Sequence, residues 1–424
     1  MRQQENRQPV TKVAVLRRLR DAELHRIEDE RGRRGRRFEH LGLLMALALG
    51  CSAALPSLRA VETMTAWLAP SWRRRSRIRR RISDTKLRDA LMSIEPEQAR
   101  KCIHRQVKAE HRRGRLAPTR LPFGVVAIDG KGLGKLPSWD HRDVQRQRPE
   151  DGRDYGLARV HRAHLVSSDA TVCVDQRPIP GDSNEVGEVL TYARQLVEAY
   201  GRTNLFEVVT ADAGNTCLAL GDYLHGRDLG YVLAIKGPSG DIYQEALSRL
   251  SWLEPERSEV SVSERAKGEL VTWRLYRAQL EGGHLGWRHA RQLVRVERTV
   301  TNAHGEVTKV GNRYFVTNVP KGRLGARGWL VLVRMHWRCE NEGHWTADVV
   351  WNEDRRRKPW TTDPRAVYAL SMLRMVALNI VAALRSMTRR SWVPGPPPWQ
   401  DVVFLVHAVL VTGISQSPGT DEGS

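Results

Sequence analysis

Apolar positions in the first part of the chain recur at spacings of three and four, the pattern of helices that pack on one face. Ser83-Asp84 stands as a side-chain cap before LRDALMSI, which carries that spacing. The most apolar run is Leu41 to Leu55. It falls short of the roughly 20 residues needed to cross a bilayer. About forty polar and charged residues precede it, far more than the leader of a secretory signal. It predicts a buried helix in a soluble protein with no membrane partner.

From Phe123 the period changes. GVVAID (124–129), ARVHRAHLVSS (158–168) and TVCVDQRPI (171–179) read as strands, and residues 183–201 as a helix opened by Ser183 and closed by Gly201. LFEVVTAD (205–212) is a fourth strand, 217–230 a second helix and YVLAIKG (231–237) a fifth strand. Polar and apolar residues then alternate over 255–319, with turn signals at Glu281-Gly282-Gly283 and Asn302 to Gly305, which predicts an antiparallel β insertion. Helical spacing resumes at Trp329 and runs to about Trp345, and again over 366–387. A Pro-rich linker follows at 394–398, and 414–424 reads as a loose tail.

The order β-β-β-α-β-α-β is that of an RNase H-like α/β core, in which the first and fourth strands lie side by side. The expected organisation is a helical, basic N-terminal region over 1–118 and a catalytic domain over 119–360, with its insertion at about 240–320. C-terminal helices and a tail occupy 361–424.

Charge narrows the partners. The chain has 424 residues, with 69 Lys+Arg against 48 Asp+Glu, a net charge of +21. Such an excess favours polyanions, nucleic acid first among them. Two arginine clusters, Arg31, Arg33, Arg34, Arg36, Arg37 and then Arg73, Arg74, Arg75, Arg77, Arg79, Arg80, Arg81, are nearly free of acids. That one-signed blocking points to phosphate contact. Five cysteines (51, 102, 173, 217, 339) form no CxxC pair, which argues against a disulfide scaffold or a Cys-rich zinc module. They read as buried thiols of a cytoplasmic protein.

Three acids qualify as a metal site. Asp129 and Asp212 end the first and fourth strands, and Glu340 lies on the helix after the insertion. Phosphoryl transfer by two metals needs such a small carboxylate cluster. Gly130 to Lys135 matches neither the P-loop nor the dinucleotide fingerprint. It reads as a flexible loop whose Lys131 and Lys135 reach phosphate. His336, Glu340 and His344 fall at i, i+4 and i+8 of a helix. A zinc protease helix instead sets its two His four apart with the Glu between. His336 and His344 are therefore expected to steer phosphate or to hold Glu340 by a hydrogen bond, not to ligate an ion. Trp337 and Trp345 read as core residues.

Specific blocks carry a resemblance: AIDGKGLGK (127–135), HLVSSD (164–169), PIPGDSNEV (178–186), VTADAGNT (209–216), GYVLAIKG (230–237) and RMHWRCENEGHWTADVVWNED (334–354). With RRFEHLGLLMALALGCSAAL (36–55), SDTKLRDAL (83–91) and MLRMVALNI (372–380), the chain resembles the ISAs1-group, H-repeat-associated transposases of the IS4-like DDE class over roughly 30–390. The resemblance implies Asp129, Asp212 and Glu340 as a DDE triad holding two Mg²⁺ (or Mn²⁺) ions. It implies cleavage at insertion-sequence ends and strand transfer on double-stranded DNA by a homodimer. Asn341 falls in the HWxxEN block beside His336 and Glu340, and belongs with His336 and His344 as a support of the triad. Where the broader pattern expects Tyr, Arg and Lys, this chain has Val333, His336 and Ala347, so Arg334 is expected to supply the phosphate contact. Gly214-Asn215 replaces the usual Leu-His after the second acid. The competing readings are an RNase H-like nuclease or resolvase without strand transfer, and an inactive DNA-binding descendant.

Overall fold

Residues 10–32, 36–150, 152–266, 268–281, 283–354, 360–388 and 395–412 are described by the computed structural model. Arg33, Arg34, Pro394 and the tail at 414–424 lie outside them. Six helices come first: α1 (Lys12–Asp21), α2 (His40–Ser52), α3 (Leu58–Trp67), α4 (Pro70–Ser76), α5 (Asp84–Met92) and α6 (Pro96–Arg112). Thr11, Ser57 and Ser83 cap α1, α3 and α5 with their hydroxyls, and prolines open α4 and α6 where no N–H is needed. The run at 41–55 is the buried helix its composition predicts: every residue of α2 from Gly42 to Ser52 is buried.

Among the described residues, ten strands then form one mixed sheet. They are β1 (Val125–Leu136), β2 (Val144–Gln147), β3 (Tyr155–Leu165), β4 (Val172–Pro178), β5 (Val208–Ala211), β6 (Gly230–Ile235), β7 (Val260–Ala266), β8 (Glu269–Gln279), β9 (Gln292–Thr301) and β10 (Val307–Thr317). The order is β2-β3-β1-β5-β6-β10-β9-β8-β7, with β4 also paired to β3. Helices α7 (Glu185–Tyr200) and α8 (Leu218–His225) connect β4 to β5 and β5 to β6, and α9 (Asp241–Leu250) follows β6. The four antiparallel strands of the insertion continue the same sheet, because β10 pairs with β6. After them come α10 (Ala326–Met335), a π turn at Cys339–His344, α11 (Trp345–Trp351), α12 (Pro364–Met387) and α13 (Trp399–Thr412).

Alternation along β1 divides the interior. Val126 and Ile128 face a core shared with the N-terminal helices, α12 and α13, while Val125 and Ala127 face a second core with Trp329, Leu332 and Cys339. Helix α12 is long and apolar enough to span a membrane, yet that apolar stretch is wholly buried inside the protein. Two ionic networks tie helices to the sheet. Arg100 of α6 holds Asp175 of β4 through two bonds of 2.7 and 2.6 Å, and His104 adds a third at 2.7 Å. Burial opposes ionisation of Asp175, but the Arg100 bonds and charge outweigh it and hold the carboxyl well below its usual range. Arg162 of β3 likewise bonds Glu353 at 2.7 Å and Ser371 of α12 at 2.9 Å, all three buried.

Several expectations change. Residues 130–136 are not a loop but the second half of β1, paired to β3 with an irregularity between Gly132 and Gly134. Leu133 and Leu136 anchor that half in a small core with Val144 and Tyr368. The glycines signalled a loop, but the pairing and the two leucines decide otherwise. The cap of α7 is Asn184, accepting from Gly187 N at 2.8 Å, rather than Ser183. The helix expected from Trp329 to Trp345 is broken by the π turn, which removes the simple i, i+4, i+8 relation of His336, Glu340 and His344.

Candidate carboxylate site

Parallel pairing of β1 with β5 sets Ile128 beside Ala211. The next residues therefore stand at the same level on neighbouring strands, but only Asp212 ends its strand as expected: Asp129 lies within β1, paired to Arg162 of β3. Glu340 comes from the π turn, whose Cys339 packs its thiol 3.9 Å from Asp129 Oδ2. Burial, then the charges of Asp212 and Glu340, push the Asp129 carboxyl up to about 8. The Gly130 N–H, donating at 2.8 Å, opposes the shift, and Glu185 adds to it. The charges of the other two sequence-predicted acids thus act on Asp129.

Each acid has its own support. Asp212 accepts from the backbone N–H of Asn215 at 3.0 Å and from its side-chain amide at 2.7 Å. The departure at Gly214-Asn215 is therefore a built contact: a Cβ on Gly214 would lie 3.2 Å from Asp212 Oδ2. His344 Nδ1 lies 3.3 Å from Asp129 Oδ2, so this histidine serves Asp129 and not Glu340. Burial and then the neighbouring His164 hold its pKa well below the usual value. His336 does not reach Glu340 either. It is buried, bonded through Nδ1 to Thr210 of β5 at 3.0 Å, and desolvation lowers its pKa to about 4. Asn341 and Glu340 are exposed.

The basic residues divide sharply. Lys131 is paired with Asp348 of α11, and Lys135 lies 4.0 Å from the centre of the Tyr155 ring. Arg334 pairs with Glu264 of β7 at 2.5 Å and lies over Trp273. In the second arginine cluster, Arg73 donates to the carbonyls of Leu68 and Ala66, and Arg81 is paired with Glu62. Arg80 lies over Phe38, while Arg74, Arg75 and Arg79 are exposed. In the first, Arg31 and Arg36 fold back on Asp29 and nearby carbonyls. Trp337 is half-buried against Trp273, but Trp345 is 56% exposed, contrary to the expectation of a core residue.

Sequence reasoning missed Glu185, the first residue of α7. A Cβ on Gly130 would fall 2.2 Å from its carboxylate, and the Asn215 amide reaches it at 3.5 Å. An acid in the first turn of a helix is commonplace, so nothing local distinguished it.

Among the described residues, no three His, Cys, Asp or Glu side chains form a group that could hold a metal ion. What fits a divalent cation is the chemistry of the donors. They are hard oxygens, one of them driven toward protonation by burial and then by its acidic neighbours, beside a fully buried Asn215 whose Oδ1 has no partner.

No family profile matches the chain. Two curated Escherichia coli K12 proteins do, "H repeat-associated putative transposase YhhI" and "Putative protein YbfL". Each is 24% identical over 267 residues, 61% of this chain and 64% of the relative, so the match spans less than two thirds of either relative's length. Among solved structures, a piggyBac transposase synaptic complex with hairpin DNA aligns over 93% of this chain and 76% of its own, at 10% identity and a TM-score of 0.42, a likeness too loose to bear on topology. By sequence, the chain is similar to these two curated proteins over that span.

Proposed function

We propose that this chain is a DNA transposase that cleaves the ends of an insertion sequence and joins them to target DNA. The observation that carries the reading is the side-by-side placement of Asp129 on β1 and Asp212 just past β5, with Glu340 close enough to raise the Asp129 pKa. The name of one curated relative, an H repeat-associated putative transposase, supports it, as does the blockwise resemblance.

We read the core as RNase H-like: β1, β3 and β4 antiparallel, then β5 and β6 parallel to β1. Asp129, Asp212 and Glu340 would hold Mg²⁺ or Mn²⁺. Divalent ions there would activate the attacking oxygen and stabilise the leaving one. The chain's own residues do the rest. Asn215 fixes the Asp212 carboxylate through two hydrogen bonds, so that its second oxygen faces the site. His344, kept neutral, holds the orientation of Asp129 without adding positive charge. The exposed arginines of the 73–81 cluster would bind phosphates and set the register of the duplex without reading bases. Action in the cytoplasm, as a homodimer on double-stranded DNA, belongs to the same proposal.

The test is direct. Purified protein, Mg²⁺ and a labelled element-end duplex are scored for cleavage and for joining to a target duplex. Cleavage without joining would reduce the reading to a nuclease; neither product would refute it.

A further inference from the structure

The two faces of the inserted sheet treat their arginines differently. Register sets Arg298 of β9 opposite Trp273 of β8 and Gly311 of β10. Side chains alternate along a strand, so Lys309 and Arg313, two residues either side of Gly311, share that face. On the reverse face Glu297 takes both Arg274 and Arg295 at 2.6 Å. On this one no acid pairs with Arg298, Lys309 or Arg313 among the described residues, and Glu264 is already taken by Arg334 at 2.5 Å.

Rings stand where acids would. Arg298 lies 5.4 Å from the centre of Trp273 and Arg313 lies 4.7 Å from that of Trp337, the two rings being 6.0 Å apart. A guanidinium stacked on a ring keeps its charge and its fork of N–H donors, with less rotamer freedom left to lose on binding. Arg334 also lies against Trp273, at 4.5 Å, so this surface offers charge to a backbone rather than a ring to a base.

Amid these cations the floor is bare. A Cβ built on Gly311 would meet nothing within 4 Å, and its backbone is not in the left-handed region that favours glycine. Glycine weakens a strand, and inside one it marks a place where another backbone approaches closely. The strip also leads to the carboxylates. Trp337 stands three residues before Glu340. His336, whose pKa is lowered above all by burial, feels the charges of both Asp212 and Arg313.

We propose that Gly311 floors a phosphate seat, where Arg298, Lys309 and Arg313 grip the backbone of duplex DNA beside the carboxylate site. The inference rests on the reading of the chain as a protein that acts on DNA. In the competing account the arginines and rings only close the edge of the core on which Trp273 and Trp337 pack.

Full-length protein and variants are titrated with an element-end duplex by fluorescence anisotropy at several salt concentrations, with melting and Mg²⁺ cleavage followed on the same preparations. Arg298→Gln combined with Arg313→Gln lowers the slope of log K against log salt by about 1.8, and Lys309→Gln, at an exposed position, by about 0.9. Gly311→Val puts a strand-favouring side chain into open space, so it melts no lower than the parent yet binds at least as weakly as Lys309→Gln. Arg265→Gln, on the reverse face of β7, leaves slope and affinity unchanged. If Lys309→Gln and Gly311→Val keep the parent's slope and affinity, the seat is overturned, even where the arginine pair fails to fold. A parent that binds and cleaves the duplex beside such variants loses this seat alone. A parent with no salt-dependent binding brings down the DNA reading itself.

Discussion

His344 Nδ1 stands 3.3 Å from Asp129 Oδ2, joining the turn that carries Glu340 to the strand that carries the first acid. His344 is more than nine-tenths buried and packs edge-on against His164 with ring centres 5.5 Å apart. It is held neutral, so it orients the carboxylate instead of neutralising it. His344→Ala should cut cleavage by about 10–100-fold, the usual loss when the partner of a ligating group is removed, with the same Mg²⁺ requirement. His336→Ala should act mainly through packing against Thr210, lowering the melting temperature more than the rate. Cleavage assays paired with thermal melts separate the two; equal effects on rate would remove the distinction drawn between these histidines.

The three acids should behave as a unit. Asp129→Asn, Asp212→Asn and Glu340→Gln each remove a charge at almost no change in volume, and each should abolish cleavage while DNA binding persists. Gel-shift and cleavage assays on the same preparations check this. Wild-type cleavage by any one variant would strike that residue from the triad.

Stability without metal should peak near neutral pH. Asp129, raised to about 8, keeps its proton in the folded state where the unfolded chain has lost it, so stability falls as pH rises from about 4 to 8, by up to about 1.4 kcal/mol per unit. The buried histidines pull the other way. His161 and His336 are lowered to about 4 and His164 to about 3, so below their unfolded value near 6.5 they cost stability as pH falls. Three such groups outweigh one carboxylate in acid; above pH 6.5 Asp129 dominates. Melts in EDTA from pH 5 to 9 should therefore show a maximum between 6 and 7. Asp129→Asn should flatten the alkaline limb and raise stability at pH 8. An unchanged alkaline limb would show that Asp129 ionises normally.

Not every arginine of the 73–81 cluster can serve DNA. Replacing the exposed Arg74, Arg75, Arg79 and Arg80 by Ala should lower the slope of log K against log salt by about 0.9 for each phosphate that is no longer neutralised. Arg73 and Arg81 are committed to Leu68, Ala66 and Glu62, so their replacement should lower the melting temperature and leave the slope nearly alone. Fluorescence-anisotropy titrations at several salt concentrations decide between these outcomes.

The strands around Asp129 and Asp212 were legible because apolar, β-branched runs ended on acids, and parallel pairing then made them neighbours. Glu340 was picked out by its place on the helix after the insertion, and the resemblance then added its role. The helical period around it is real on both sides, but a π turn interrupts it, and hydrophobic spacing does not report one extra residue per turn. Glu185 and His164 were invisible for a different reason. Their roles come from contacts across the sheet, His164 through its pairing opposite Ala127 and Glu185 through a glycine on another strand. Gly130 to Lys135 misled, because glycine content signals a loop locally while pairing with β3 and the burial of Leu133 and Leu136 is decided at a distance.

The grip of Arg100 and His104 on Asp175 bears on how copies of such a gene decay. A deletion of the codons for 1–118 would remove both cationic partners of Asp175 and strip the helical face from the core it shares with α12. The remaining polypeptide would keep Asp129, Asp212 and Glu340 and still not fold. Damage at the 5′ end is therefore silent at the carboxylates yet fatal to the product.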